Sequence, residues 1–563
     1  MTSRSSAPSF VRRKSSAHPF ATHASKLVVL TLSVLTISYV VFGLAAMSLV
    51  LSPAQNTSKD MINQTMRSLR STHVTIPKIV NGMETEPLQE LQKRFPVHVS
   101  DDEDCVEHII HPGIFFSGID RIKALLPEKA ETMETMRVPK FWNPPGFGDR
   151  GLRWFLGKGG SQFMTSDEAR LIGSKDPKTG RETIFISVAS YRDSECTPTI
   201  DSIYARARYP DRIRVAVVDQ IDEKVDTPCA RPTTSCALDP GQTLCRYAHL
   251  IDVYQVPAFL MTGPVLARHL AHRMYRGEYF SLQVDAHVRF VQDWDEDIVL
   301  QWKSTNNEMA VLSTYLTGID GSIDEATHES LRKERNILCN LQYDGSGVQR
   351  RLTLKQPTKQ HDPSVHGTPL LQPFWSAGFS FSRGHFIVQV PYDQYLPMLF
   401  QGEEASIVIR GFTYGYDFYA PERSVAFHIY AVKANSGRKS RHKFWENELM
   451  FKGALEKSVA RLNAITGMLG GYGKKHSTAS DRVTVEKETY GLGRVRSKEK
   501  YFKTFGIQPG SQSVERHLCS FVQKEMHERF TLFLRENGIG IDYNKISIEF
   551  HDQPKHDSGI AMG

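Results

Sequence analysis

Between Glu182 and His287 the chain alternates continuous apolar runs with segments of helical spacing, and this alternation restricts the possible folds more than any other feature. ETIFISVAS, RIRVAVVDQ, IDVYQVPA and YFSLQVDAH read as strands, while TPTIDSIYARARY and GPVLARHLAHRMYRGE read as helices. A strand that is apolar at consecutive positions must be covered on both faces, so the pattern predicts an α/β fold with a mostly parallel sheet flanked by helices. Such sheets bind ligands beyond the carboxyl ends of their strands. Two later segments, ELMFKGALEKSVARLNAI and VERHLCSFVQKEMHERFTLFLRENG, have helical spacing and predict a mixed α/β C-terminal region.

The N-terminus carries a different signal. Leu27 to Leu51 is a run of 25 residues without a charge, long enough at 1.5 Å per residue to cross a hydrocarbon core of about 30 Å. Arg4, Arg12, Arg13, Lys14 and Lys26 precede it, and no acid appears before Asp60. The positive-inside rule then predicts a single-pass type II arrangement with residues 1–26 in the cytosol, an anchor at 27–51 and the rest in a lumen. A cleaved signal peptide is the alternative, although its apolar core is usually only about 7–15 residues. Two glycosylation sequons, at Asn56 and Asn63, lie on the side this topology makes luminal.

Residues 52–100 are polar and poorly periodic and read as a stem, 101–178 as an irregular folded lead-in, 179–440 as the catalytic domain, and 441–563 as an extension packed on it or completing it. The seven cysteines (Cys105, Cys196, Cys229, Cys236, Cys245, Cys339 and Cys519) show no CxxC, which disfavours a zinc site. In an oxidising lumen some of them pair, and an odd number leaves at least one over within a monomer. A net charge of +7 over 563 residues, without a basic stripe, disfavours nucleic acid as a partner.

The segment richest in chemistry is YFSLQVDAHVRF. On a strand, Asp285 and His287 two residues apart project to one side, and at a strand end they converge at the mouth of the sheet. A carboxylate with an imidazole suits manganese, with magnesium possible. The alternative is a solvated Asp and a hydrogen-bonded His. Arg268, on the helix opened by Gly263-Pro264, can hold a phosphate or pair with an acid. Ser190, Tyr191 and Arg192, with Asp193 after them, follow the first strand and offer a stacking ring and polar groups to a base or ribose, or form a turn held by an Arg–Asp pair. Trp375, Gly378 and Phe379 read either as the apolar floor of a sugar site or as a core corner. Glu403 and Glu404 read as catalytic acids or as a solvated helix face.

In order, ISVASYRD, GPVLAR, YFSLQVDAHVRF with WD, FWSAGFSF, VPYD, LFQGEE and TYGYDFYAPE ending in FHIY closely resemble the polypeptide α-N-acetylglucosaminyltransferase family, glycosyltransferase family 60. The resemblance covers roughly residues 180–430 and extends toward YGLGRVRS and NGIGIDY. It implies a GT-A fold, UDP-N-acetylglucosamine (UDP-GlcNAc) as donor, a divalent metal, and transfer with retention to hydroxyl groups of a protein acceptor. Known members modify hydroxyproline in the cytosol or serine and threonine of mucin-like proteins in the Golgi, and the anchor favours the Golgi branch. The resemblance gives Asp285 and His287 the DxH metal role and makes His428 the third candidate ligand. It also places Tyr191 and Arg192 near uridine. Another UDP-sugar or a glycan acceptor on the same fold, a tethered carbohydrate-binding protein without turnover, and a nucleotide-sugar hydrolase are the competing expectations.

Overall fold

The computed structural model describes residues 105–109, 135–142, 155–258, 261–361, 368–430, 441–448, 451–468 and 486–547. The expected anchor, the stem and both sequons lie outside these residues. Among the described residues no helix is long and apolar enough to cross a membrane.

The predicted alternation is present. Strand β1 (Ile184–Tyr191) leads to helix α1 (Cys196–Ala205), then to β2 (Ile213–Ile221) and, past a long loop, to β3 (Ile251–Pro257). Helix α2 (Pro264–Arg273) returns the chain to β4 (Phe280–Asp285). In β1 the consecutive residues Ile184, Phe185, Ile186, Ser187 and Val188 are all buried. Successive side chains point to opposite faces, so both faces of the sheet are covered.

After β4 come the short β5 (Val288–Phe290), α3 (Trp294–Ser304), β6 (Ala310–Ser313), β7 (Leu370–Leu371) and β8 (Phe379–Arg383). Helix α4 (Glu403–Thr413), β9 (Asp417–Ala420) and β10 (Ala426–His428) follow. The main sheet has eight strands in the order β7-β9-β6-β8-β4-β1-β2-β3. The β4-β1-β2-β3 run is parallel, as is β6 with β9, whereas β8 is antiparallel to both β4 and β6, and β7 to β9. The fold is therefore a mixed α/β architecture with a large, mostly parallel sheet. Every residue of α4 is buried, including the run Ile407, Val408 and Ile409. β-Branched residues favour helix weakly, so tertiary packing rather than propensity holds this helix.

Outside the main sheet, β10 pairs antiparallel with β5, setting His428 opposite Val288. The C-terminal residues join the same core: the rings of Tyr501, Phe505 and Tyr543 lie 4.9–6.3 Å from that of Phe412 in α4. Helix α5 (Ala454–Thr466) lies against α4. Six of the seven cysteines pair, as Cys196–Cys229, Cys236–Cys245 and Cys339–Cys519. The first bond ties the start of α1 to the loop between β2 and β3, the second closes a turn within that loop, and the third ties residue 519 to residue 339.

Candidate active site

The polar residues of interest gather at the carboxyl end of β4. Asp285 is its last residue, but His287 is not on that strand. The chain turns through Ala286 and His287 before β5 begins, so the turn, and not the alternation expected for one continuous strand, brings the imidazole to the carboxylate. His428 arrives through the β5–β10 pairing, and the amide of Ile429 donates to the carbonyl of His287 at 2.8 Å. One ligand atom from each of Asp285, His287 and His428 lies within 4.8 Å of the others. His428 Nε2 is 3.5 Å from Asp285 Oδ2, and the two imidazole rings are 4.5 Å apart and perpendicular. Tyr430 packs against His428, with ring centroids 4.0 Å apart.

This donor set fits one divalent ion. Nitrogen and oxygen ligands bind such ions at roughly 2.0–2.2 Å, so two ligands of one ion stand at most about 4.4 Å apart, and the 3.5 Å between His428 Nε2 and Asp285 Oδ2 lies inside that bound. A second observation agrees: a Cβ at Gly378 would sit 2.9 Å from Asp285 Oδ2, so glycine there leaves that oxygen open.

Behind the cluster lies a buried ionic triad. Arg268 Nη2 donates to Asp285 Oδ1 at 2.8 Å, and Nη1 donates to Glu403 Oε1 at 2.7 Å. Arg268 is therefore committed to two carboxylates, which realises the acid-pairing alternative and leaves its fork engaged where a donor phosphate contact was expected. Burial opposes ionisation of Asp285, but the His428 hydrogen bond and the Arg268 charge overcome it and hold the carboxyl well below the usual range.

Glu403 and Glu404 open α4 after Gly402, whose φ of 111° and lack of room for a Cβ beside Leu462 and Arg351 require glycine. Both acids are buried, so they are not a solvated helix face. Glu404 faces Tyr315, whose hydroxyl is 2.9 and 2.8 Å from its two oxygens, and Oε1 accepts the Ala377 amide at 3.2 Å. Burial, and next the charge of Glu403, push the Glu404 carboxyl up to about 8. The Ala377–Gly378 loop joins the two halves of the site, because the Gly378 carbonyl also accepts the Asp285 amide at 3.3 Å.

The remaining expected residues fall elsewhere. Tyr191 and Arg192 sit at the end of β1, one strand over from Asp285, but both are engaged: the Tyr191 hydroxyl donates to Glu446 at 2.7 Å, while Arg192 pairs with Asp226 at 2.7 Å and Glu446 at 2.9 Å. The turn is held by an Arg–Asp pair, with Asp226 as the acid. Ser190 is fully buried beside Asp219, whose carboxyl burial pushes up to about 6. Trp375 is 1% exposed and its Nε1 donates to Ser380 Oγ at 2.8 Å, so the ring is packed in the core. Phe379 is buried likewise. Tyr315 was missed because nothing near it in sequence distinguishes it from a core tyrosine.

A family model described as Glycosyltransferase (GlcNAc) matches residues 183–250 and 234–511, more than half of the chain. The chain belongs to this glycosyltransferase family. No curated protein matches. Among solved structures, GalNAc-T7 with UDP, GalNAc and Mn2+ is similar at 12% identity and TM-score 0.35, covering 74% of this chain and 72% of that one. S. aureus TarS 1-349 in complex with UDP is similar at 14% identity and TM-score 0.30, covering 62% and 76%. The same protein with UDP-GlcNAc is similar at 15% identity and TM-score 0.28, covering 60% and 84%.

Proposed function

We propose that this glycosyltransferase is a GT-A enzyme that transfers N-acetylglucosamine from UDP-GlcNAc to hydroxyl groups of protein acceptors, with retention, in the Golgi lumen behind a type II anchor. The observation that carries the reading is the convergence of Asp285, His287 and His428 at the carboxyl end of β4, with Glu403 and Glu404 linked to it through Arg268 and the Ala377–Gly378 loop. Asp285, His287 and His428 would hold a divalent ion, manganese by donor type, and when bound it neutralises diphosphate charge as UDP leaves. Arg268 keeps Asp285 ionised and oriented. Glu404, protonated below about pH 8, presents a hydrogen-bonding group toward the sugar or the acceptor hydroxyl, and Tyr315 and the Ala377 amide hold it in place.

The test is incubation of the protein with UDP-GlcNAc, manganese and a Thr-rich peptide, with products resolved by mass spectrometry. The expected product is peptide carrying one α-linked N-acetylhexosamine. Free sugar alone would replace this reading with nucleotide-sugar hydrolysis, and absence of turnover with a binding role. For location, an N-terminal tag should be protease-accessible in intact vesicles and a tag at Gly563 protected; the reverse pattern removes the luminal assignment.

A further inference from the structure

We infer that Asp193 is the positioning residue that selects the tautomer of His287, so that Nε2 faces the ion and Nδ1 carries the proton. The inference rests on the metal reading of Asp285, His287 and His428 proposed above. His287 Nδ1 lies 2.7 Å from Asp193 Oδ2, in a carboxylate that is only 5% exposed. An ionised carboxylate can only accept, so the ring nitrogen facing it must be N–H, and the other nitrogen keeps its lone pair for a metal. A carboxylate behind a metal-binding histidine is a recurrent way of orienting the ring and raising its basicity.

The fold places this carboxylate independently of His287. Asp193 Oδ1 accepts the Glu195 amide at 2.9 Å, and its carbonyl accepts the Cys196 amide at 3.1 Å. Arg441 Nε stands 3.7 Å from Oδ2. The preceding residue, Arg192, has φ of 48°, a left-handed conformation unfavourable for a non-glycine residue. Its ion pairs with Asp226 and Glu446, and the Cys196–Cys229 disulfide just beyond, brace that turn.

Asparagine at this position separates positioning from mere turn structure. Asn has a single acceptor oxygen. The Glu195 amide cannot change its role, whereas an imidazole can, so the oxygen stays with Glu195 and the NH2 group turns toward Nδ1. That moves the ring proton to Nε2 and removes the lone pair aimed at the ion. A residue needed only for the turn would tolerate Asn, a good turn former.

Manganese binding to the full-length protein, read as loss of the free Mn2+ electron paramagnetic resonance signal, tests this without reference to activity. Asp193→Asn should raise the Kd about 10–100-fold while the melting temperature stays close to wild type. Wild-type affinity in a folded Asp193→Asn protein overturns the inference. If the variant does not fold, wild-type protein labelled with 15N at histidine decides instead: the His287 resonance, identified by its loss in His287→Gln, should show the proton on Nδ1, and a proton on Nε2 overturns the assignment. Wild-type protein that binds no manganese sinks the metal reading and this inference together. Binding abolished by Asp285→Ala but untouched by Asp193→Asn sinks this inference alone.

Discussion

Asp285 and Glu404 are carboxylates of one constellation, yet their surroundings push them in opposite directions. Asp285 ends a strand among Arg268, His287 and His428, and those cationic or donating partners hold it ionised despite burial. Glu404 sits at a helix start beside a second buried acid, with Tyr315 and one amide as partners, and burial holds it protonated up to about pH 8. The helix N-terminus should favour the anion by at most about 2 kcal/mol, and here desolvation wins. Neighbours, not residue type, hold one carboxylate ionised and the other able to carry a proton.

Removing the ionised member should cost most. Asp285→Ala, or chelation of the wild type, should lower turnover about a thousandfold, the equivalent of roughly 4 kcal/mol of transition-state stabilisation; added manganese should restore the chelated enzyme only. Steady-state rates across a manganese titration check this. His287→Ala and His428→Ala should each raise the manganese requirement, and their combination should cost much less than the product of the single effects. An unchanged manganese requirement in a folded His428→Ala protein would leave that residue a core histidine.

Arg268→Ala cuts the link between the two halves, takes the cationic partner from the buried Glu403 and leaves Asp285 with His428 and His287 only. A loss of about 3–5 kcal/mol in unfolding free energy is expected, read by denaturant titration. Arg268→Lys should recover only part, because one ammonium cannot reproduce two fork contacts. A stable Arg268→Ala protein with weakened donor binding would instead return the arginine to phosphate recognition.

Glu404→Gln should lower turnover about 10–100-fold with little change in donor affinity. It also carries a pH signature. Burial raises the folded pKa above the ordinary glutamate value of 4.5, so the contribution of Glu404 to stability is fully present below 4.5 and is lost as pH rises through about 8. Wild-type melting temperature should therefore fall between pH 5 and 8 more steeply than that of Glu404→Gln, and parallel curves would show that Glu404 is ionised. The smallest effect belongs to Tyr315→Phe, which removes one hydroxyl partner and should cost about 1 kcal/mol of stability and shift the pH dependence of turnover.

The sheet was legible because its strands are apolar at every position and its intervening helices are amphipathic, both of which are local patterns. Asp285, His287 and the Glu403–Glu404 pair could be singled out by spacing and composition. His428 could be singled out only through family resemblance, since an apolar strand with one histidine says nothing by itself. The burial of Trp375 was not legible, because a tryptophan three residues before a glycine looks the same in sequence whether its ring faces a cleft or the core.

The sequence by itself determined the α/β alternation, the apolar N-terminal run with its basic flank, and the types of ligand available at the end of β4. Tertiary structure alone decided the partners. It turned the chain between Asp285 and His287, set β10 against β5 so that His428 reached them, and committed Arg268 to two acids and Arg192 to a turn. It also buried Glu404 against Tyr315. These outcomes depend on contacts between residues far apart in sequence, where desolvation and charge are set by whatever the fold brings near, and no local pattern encodes that distance.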